Sequence, residues 1–310
     1  MSRTRFVFRS FTTAFALMAC VLASCGGGGG GGSTPATGVS ASSASSTAST
    51  TSSASASASS SSSSPASGAV EKPGYTLTFN DEFDALDVSA NGPGTKWTAH
   101  TPWHGDFGDA LFADPVAGFP FTVENGILRI EARKRPDGKW ESGLLASVDA
   151  KNVGFKQQYG YFEMRAKLPS GEGVWPAFWL DSMIPPQFDD PSLEIDVMEY
   201  YGQFNDVYHS TVKLWPKDRT QISPFWNTRV PVRANSLTTD FHIWGVSVEP
   251  DWIIFYLDGV ETWRTKTPDT HKHEMMILVN LALGGGWPIT NTPNPSYMYV
   301  DYIRAYKKVA

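Results

Sequence analysis

Cysteine is nearly missing from this chain of 310 residues. The two cysteines, Cys20 and Cys25, both lie close to the N-terminus. A disulfide framework and a cysteine-based zinc site are therefore excluded for the rest of the chain.

An excess of positive charge is also lacking, because the formal net charge is −6. This balance excludes the usual basic nucleic-acid-binding protein, and we expect no nucleic-acid partner. Aromatic residues, by contrast, make up 13% of the chain and include 11 tryptophans. Tryptophan rings are large enough to serve both as core residues and as stacking surfaces for a ligand, and we expect both uses here.

A long apolar run is absent from the N-terminus, where the segment FTTAFALMACVLA is too short to be a transmembrane helix. Three arginines precede it, at Arg3, Arg5 and Arg9. A positive start followed by a short apolar run is typical of a signal peptide, which we predict over residues 1–24. The protein is therefore expected to be exported.

The end of the signal, LASC at residues 22–25, looks like the lipobox of bacterial lipoproteins. That resemblance implies cleavage before Cys25 and a lipid anchor on its thiol. Gly26 follows instead of aspartate, which favours the outer membrane as the destination. The alternative is an ordinary secretory signal with an incidental cysteine, which would give an extracellular protein.

The next segment, residues 25–70, contains almost only Gly, Ser, Ala and Thr. Such a composition cannot bury a core, so we predict a disordered tether. The composition becomes that of a globular protein at about residue 71. We therefore predict one folded domain over residues 71–310, which is a normal size for a β-sandwich.

The folded part shows the period of two that is typical of β-strands. Apolar and polar residues alternate in GILRIEARK and YFEMRAKLP, and an Asp-Gly pair separates two strand-like runs in WIIFYLDGVETWR. The apolar run MMILVNLAL is consistent with a strand buried on both faces. No long window has a helical apolar stripe. These patterns predict an all-β, antiparallel sandwich.

Three carboxylates occur in the six residues EIDVME, residues 194–199. Strict alternation would place Glu194 and Asp196 on one face of a strand and Glu199 on the other. A β-bulge around Val197 and Met198 would return Glu199 to the first face, because one extra residue inverts every later side chain. The alternative is a solvated edge strand, but apolar and aromatic residues flank the acids on both sides.

Aligned acids suit glycoside hydrolysis, in which one carboxylate acts at the sugar carbon and another protonates the leaving oxygen. The pattern E-x-D-x-x-E resembles the active-site motif of glycoside hydrolase family 16, in its branch with a bulge residue. FNDEFDALD, YGYFEMRAKLPSGEGVWPAFWL, FHIWGVSVEPDWIIFYLDG, NLALGGGWP and MYVDYIRAY are similar to that family's other strands, in the expected order.

The resemblance implies a β-jelly-roll whose concave sheet carries the active-site cleft. It implies retaining, internal cleavage of a β-linked polysaccharide. By this resemblance Glu194 is the nucleophile, Glu199 the general acid/base and Asp196 the assisting acid between them. The substrate class is a β-1,3-glucan, a mixed β-1,3/1,4-glucan or a related bacterial exopolysaccharide.

Aromatic and polar residues near the acids are the candidates for sugar binding, because a pyranose offers an apolar face ringed by hydroxyls. Parity places Trp175 and Trp179 on one strand face, where stacking on sugar competes with core packing as an explanation for Trp179. His209 is expected to lie near Asp196 or the bound sugar. The other candidates are a rim loop with Trp103 and His104, and the segment NLALGGGWP with Asn280 and Trp287.

Two further features of the family bear on this chain. Many bulged members continue with H-G-T-x-H, but this chain has HSTVK, with Lys213 at the second histidine position. Many members also bind a structural calcium, for which Glu82 and Asp301 lie in the matching regions. The sequence has no dense oxygen-ligand loop, and catalysis is expected to need no cofactor.

Two other functions fit the same fold. A non-catalytic carbohydrate-binding protein would use the tryptophans without chemistry, but it would gain nothing from three mutually repelling carboxylates. A transglycosylase would use the same covalent intermediate with a sugar acceptor. We expect the protein to act as a monomer on its polysaccharide.

Overall fold

A computed structural model of the chain describes residues 72–185, 187–218 and 220–309. The signal peptide, the lipid site at Cys25 and the tether over residues 25–70 lie outside these residues, so they stay predictions. Within the described part, no helix has the length and apolar character needed to cross a membrane.

The described residues form strands almost throughout. The first half contains β1 (Tyr75–Asp81), β2 (Val88–Ser89), β3 (Trp97–Thr98), β4 (Ala110–Phe112), β5 (Phe121–Glu124), β6 (Ile127–Lys134), β7 (Trp140–Ser142), β8 (Leu144–Ala146) and β9 (Gly160–Lys167). The second half contains β10 (Val174–Ser182), β11 (Ser192–Glu199), β12 (Val207–Trp215), β13 (Phe225–Pro231), α1 (Ser236–Thr239), β14 (His242–Val248), β15 (Trp252–Leu257), β16 (Val260–Lys266), β17 (Met275–Leu283) and β18 (Ser296–Lys308).

These strands make two sheets, and the predicted jelly-roll sandwich is confirmed. The ten-stranded sheet has the order β16-β15-β14-β9-β18-β6-β7-β4, with β1 beside β18 and β5 beside β6. The eight-stranded sheet has the order β13-β12-β11-β10-β17-β8-β3-β2. The pairings are antiparallel except for β2 with β3 and β4 with β7.

The sequence patterns that predicted strands are found where expected. Leu128, Ile130 and Ala132 of β6 are fully buried, as the alternation in GILRIEARK requires. Every residue of β17 is buried, as predicted for the run MMILVNLAL. The Asp258-Gly259 pair forms the turn between β15 and β16, with both residues at positive φ, which that turn requires.

The main core lies between the two sheets and is rich in large aromatic side chains. Phe162 of β9, Phe178 of β10 and Trp244 of β14 are among its fully buried members. Burying one such side chain stabilises the fold by roughly 1.5–3 kcal/mol. A second apolar cluster lies on the opposite face of the eight-stranded sheet and includes Trp179 and Leu278. That sheet is therefore covered on both faces over part of its area.

The calcium site predicted at Glu82 and Asp301 is not confirmed by the structure. Arg304 donates two hydrogen bonds to Glu82, at 2.8 and 2.7 Å, and Arg165 pairs closely with Asp301. Within the described residues, no group of three or more Asp, Glu, His or Cys side chains is arranged to hold a metal ion. The calcium site therefore stays a prediction, and each of its two carboxylates has an arginine partner.

Candidate functional site

A β-bulge interrupts β11 where the sequence predicted one. Against β10, Phe178 pairs with Met198 and the next residue, Trp179, pairs with Asp196. Val197 is thus the extra residue, and the register against β12 shifts at the same place. Ser210 of β12 donates a hydrogen bond of 2.9 Å to the Val197 carbonyl oxygen, which gives this backbone group a partner.

The bulge places the three acids on one side of the sheet. Val197 and Met198 are both buried in the main core, as are Leu193 and Ile195. The acid triad (Glu194, Asp196 and Glu199) therefore lies on the opposite face of the eight-stranded sheet, which we call the cleft face. The predicted alignment of the acids is confirmed.

Glu199 lies among hydrogen-bond donors and beside a like charge. Trp175 Nε1 and the Tyr201 hydroxyl donate to its Oε1, at 3.1 and 3.2 Å. Burial and the charge of Glu194 raise the pKa of Glu199 to about 7, although the two hydrogen bonds act in the lowering direction. A carboxyl group with this pKa holds a proton for part of the time at neutral pH.

The other two acids have distinct surroundings. Trp215 Nε1 donates a hydrogen bond of 3.0 Å to Glu194 Oε2, which stabilises a negative charge on that carboxylate. Asp196 is buried, and burial together with the charges of Glu199 and Glu194 raises its pKa well above the ordinary value. Lys213 opposes this shift. The site therefore favours a neutral Asp196 between the two glutamates.

The two tryptophans predicted from β10 both lie on the cleft face, where Trp175 is partly exposed and Trp179 is buried. Tyr201 stacks on Trp175, with centroids 5.9 Å apart and an angle of 15° between the planes. Trp179 is only 6% exposed, and its Nε1 donates a hydrogen bond of 2.8 Å to the Asn280 side chain. Asn280 is fully buried and also donates to the Trp175 carbonyl oxygen. These contacts make Asn280 a support for both tryptophans, whereas the sequence suggested contact with sugar.

The glycine-rich segment after β17 packs against the same rings. Gly285 has φ +61°, and a Cβ at this position would lie 2.7 Å from both Trp175 and Tyr201. Glycine is therefore required for the loop to approach the stacked pair. Trp287, further along the loop, contacts the edge of Phe204, so the structure does not bring it into the acid triad.

The rim loop predicted around Trp103 covers the Trp179 side of the cleft face. The Trp103 ring is 52% exposed and lies 6.4 Å from the Trp179 ring. His104 is exposed and has φ +53°. Phe107 from this loop contacts the edges of both Trp175 and Trp179. Trp103 thus keeps an accessible ring, as a sugar-stacking residue must.

The β12 residues singled out in the sequence lie directly opposite the acids. His209 pairs with Glu199 across the strands and Lys213 pairs with Glu194. The His209 ring packs edge-on against Tyr201, and burial followed by the charge of Arg229 lowers its pKa. His209 is therefore neutral at neutral pH. Its neighbour is Glu199 and not Asp196, which pairs with Thr211.

Three residues of the site were not predicted from the sequence: Asp181, Tyr201 and Trp215. Parity offered a signal for two of them. Asp181 shares a strand face with Trp179, and Trp215 shares one with His209 and Lys213. Asp181 is buried opposite Glu194 and accepts a short hydrogen bond from Ser192. Tyr201 follows the end of β11, where strand parity gives no guidance.

A sandwich whose open sheet face carries three aligned carboxylates among aromatic side chains has the architecture of a glycoside hydrolase. The family model described as glycosyl hydrolases family 16 matches residues 119–304, which is more than half of the chain. The chain therefore belongs to glycoside hydrolase family 16, as its motifs predicted.

Curated relatives and solved structures agree with this assignment. The chain is 33% identical over 258 residues to endo-1,3-1,4-beta-glycanase ExsH of Rhizobium meliloti (strain 1021), covering 74% of this chain and 51% of that protein. It is 32% identical over 264 residues to endo-1,3-1,4-beta-glycanase EglC of the same organism, covering 77% and 53%. The chain thus spans about half the length of these relatives.

The fold also matches the catalytic domain of an endo-1,3-beta-glucanase (laminarinase) from Thermotoga petrophila RKU-1. The TM-score is 0.59 and the identity 26%, and the match covers 76% of this chain and 99% of that one. The relation to this enzyme extends over nearly its whole catalytic domain.

Proposed function

We propose that the protein hydrolyses a β-linked polysaccharide internally, with retention of configuration at the cleaved bond. In this proposal Glu194 is the nucleophile, Glu199 the general acid/base and Asp196 the assisting acid. The single observation that carries it is the alignment of the acids by the bulge in β11, which puts a carboxyl group with a raised pKa beside a second glutamate on one face. Burial and the charge of Glu194 raise the pKa of Glu199 to about 7, and Trp215 donates a hydrogen bond to Glu194. A carboxyl group that keeps a proton near neutral pH suits the general acid, and the carboxylate beside it suits the nucleophile.

The first step follows from these surroundings. Both donors to Glu199 bind Oε1, so the proton of the neutral form belongs on Oε2. Glu199 gives this proton to the glycosidic oxygen while a Glu194 oxygen attacks the anomeric carbon. The bond between that carbon and the leaving oxygen breaks, and a glycosyl ester with Glu194 forms. A neutral Asp196 donates a hydrogen bond toward Glu194 in this scheme.

The second step returns the enzyme to its starting state. Glu199, now a carboxylate, takes a proton from a water molecule, and the water oxygen attacks the anomeric carbon. The ester bond to Glu194 breaks, and the sugar leaves with its original configuration. Every proton and electron pair is accounted for by the two glutamates, the substrate and water.

The substrate class follows the relatives. The two Rhizobium proteins are endo-1,3-1,4-beta-glycanases by name, and the Thermotoga structure is an endo-1,3-beta-glucanase. We propose a β-1,3- or mixed β-1,3/1,4-linked glucan, or an exopolysaccharide with such linkages. The aromatic side chains of the cleft face support a pyranose ligand, since sugars present apolar faces to aromatic rings.

The proposal is tested by measuring reducing ends and product sizes from residues 71–310 on laminarin, mixed-linkage β-glucan, agarose and carrageenan. We expect a rapid fall in polymer length on one of the β-glucans, and products that keep the β configuration by NMR at early times. Release of single sugars from chain ends without loss of polymer length would contradict internal cleavage. Initial formation of the α anomer would contradict retention.

The alkaline side of the pH profile should report the general acid. Because Glu199 acts when protonated and its pKa is about 7, kcat/KM should fall about tenfold per pH unit above that value. Tyr201→Phe removes a hydrogen bond that favours the charged form of Glu199 but keeps the ring stacked on Trp175. The pKa of Glu199 should rise, and the alkaline limb should move to higher pH.

Tyr299→Phe is the matched control for this measurement, because Tyr299 lies on β18 of the other sheet. Its pH profile should coincide with that of the wild type. An unchanged or lower alkaline limb in Tyr201→Phe would contradict the assignment of Glu199 as the acid.

A further inference from the structure

The outermost strand of the eight-stranded sheet, β13, lies two strands from the acid triad and carries three exposed side chains at alternating positions. Phe225, Asn227 and Arg229 alternate along β13, and Phe225 is 52% exposed. We call these three residues the β13 strip. Each of these groups suits one part of an acidic sugar. An aromatic ring stacks on the apolar face, an amide hydrogen-bonds a hydroxyl, and a guanidinium binds an anion.

Strand register places the β13 strip on the cleft face. Phe225 pairs with Lys213, Asn227 with Thr211 and Arg229 with His209. Side chains directly opposite each other in an antiparallel pair project to the same side of the sheet. The β12 residues pair in turn with the acid triad, so each member of the strip stands two strands away from an acid.

A second observation places Arg229 near the site. Its charge is one of the two causes that lower the pKa of His209, after burial. His209 in turn contacts Tyr201, which donates a hydrogen bond to Glu199. The guanidinium thus lies in the same neighbourhood as the acid triad.

Arg229 differs from most arginines of the described residues in its partners. Six of them form ion pairs with carboxylates: Arg129, Arg133, Arg135, Arg165, Arg264 and Arg304. Arg229 forms no such pair with another described residue. Lys213, another cation near the acids, already has partners on this face. Its charge acts to lower the pKa of Asp196, and its Nζ lies 3.6 Å from the Trp215 ring centroid. Arg229 is therefore a cation on this face that is available to a ligand.

We propose that the β13 strip binds an acidic stretch of the polysaccharide, with Arg229 on the carboxylate of one sugar and Phe225 against the ring of another sugar further along the chain. This inference rests on the proposed function, because it assigns a substrate class to the same cleft. The net charge of −6 would repel an anionic polymer at long range, so its recognition requires a local cation. An arginine on an edge strand could also serve to prevent pairing with the edge strand of another molecule. That role does not explain the half-exposed Phe225 in the same line.

The test compares a neutral mixed-linkage β-glucan with the same polymer after partial oxidation of its C6 alcohols to carboxylates. We expect the wild type to have a higher kcat/KM on the oxidised polymer than on its parent, and this preference to decrease as salt is added. Arg229→Gln should reduce the preference about fivefold, the upper end for an exposed ion pair. Arg264→Gln, on the edge strand β16 of the other sheet, is the matched control and should keep the preference.

A wild type without the preference, or an Arg229→Gln variant that keeps it, would overturn the inference. Cleavage of the neutral parent, lost in Glu194→Ala, would in either case leave the proposed hydrolysis standing. Binding of both polymers is also measured by affinity electrophoresis in the Glu194→Ala background, with and without Arg229→Gln. If neither polymer is cleaved, the proposed function fails on these substrates, and the ratio of the two affinities still decides whether Arg229 recognises the carboxylate.

Discussion

Glu194→Ala is expected to lower kcat on the polysaccharide by at least about 10⁴-fold, the scale seen when an enzyme loses its nucleophile. The side chain lies on the cleft face, and its removal relieves repulsion with Asp196 and Glu199. The melting temperature should therefore stay the same or rise. Trp215 loses its acceptor, but its side chain is partly exposed and water can replace the carboxylate. Initial rates and thermal unfolding measure these two quantities.

Two controls separate loss of the nucleophile from a general effect. Glu274→Ala removes an exposed glutamate just before β17 of the same sheet and should leave kcat unchanged. Azide is small enough to enter the space left in Glu194→Ala and to attack the anomeric carbon from the same side. Restored turnover with an α-glycosyl azide as product would identify Glu194 as the attacking group. Near wild-type turnover without azide would contradict the assignment.

Glu199→Gln is expected to lower kcat on the polysaccharide by about 10³-fold, within the range for a lost general acid. A dinitrophenyl β-glycoside needs no proton on its leaving group, so its first step should be nearly unaffected. The second step still lacks its base, and the glycosyl ester with Glu194 should accumulate. A burst of phenol followed by slow turnover is therefore the expected time course.

The two substrates make this prediction specific. A structural defect would lower the rates on both substrates by similar factors and would give no burst. Tyr299→Phe again serves as a distant control. Equal losses on the polysaccharide and on the activated glycoside would show that Glu199 is not the proton donor.

The acid triad could be predicted from the sequence because strand parity and charge repulsion are local rules. Three acids in EIDVME required either a solvated edge or a bulge, and the apolar neighbours favoured the bulge at Val197 and Met198. The register of β11 against both of its neighbours confirms it. The alternating strands of the sandwich were predictable for the same reason.

The partners of the acids were harder to predict, because they depend on pairing between distant segments. Trp215 lies 21 residues after Glu194, and only the β11–β12 register brings the two together. A sugar-stacking role for Trp175 stays a prediction, and nothing in the sequence indicated that Tyr201 stacks on its ring or that its indole nitrogen donates to Glu199. Composition identifies an aromatic residue near a site, whereas its role depends on what covers its faces.

Asp301 and Glu82 show what a resemblance leaves out. Family resemblance suggested oxygen ligands for calcium at these carboxylates, and the structure adds an arginine partner to each of them. These partners, Arg165 and Arg304, come from β9 and β18, and their proximity follows from three-dimensional packing alone. Acidic residues therefore need their cationic neighbours identified before a metal is assigned to them.

The bulge in β11 also makes the positions of the acids depend on the packing of the hydrophobic core. Val197 and Met198 are consecutive residues, and both side chains fill the core directly behind the acid triad. The volume available to these two side chains sets how far the backbone arches, and hence how far Glu199 stands from Glu194. The spacing of the acids is in this sense a packing property, encoded by residues that no substrate ever touches. Evolution of a new pH optimum in this chain has therefore two routes, one through the cleft and one through the interior.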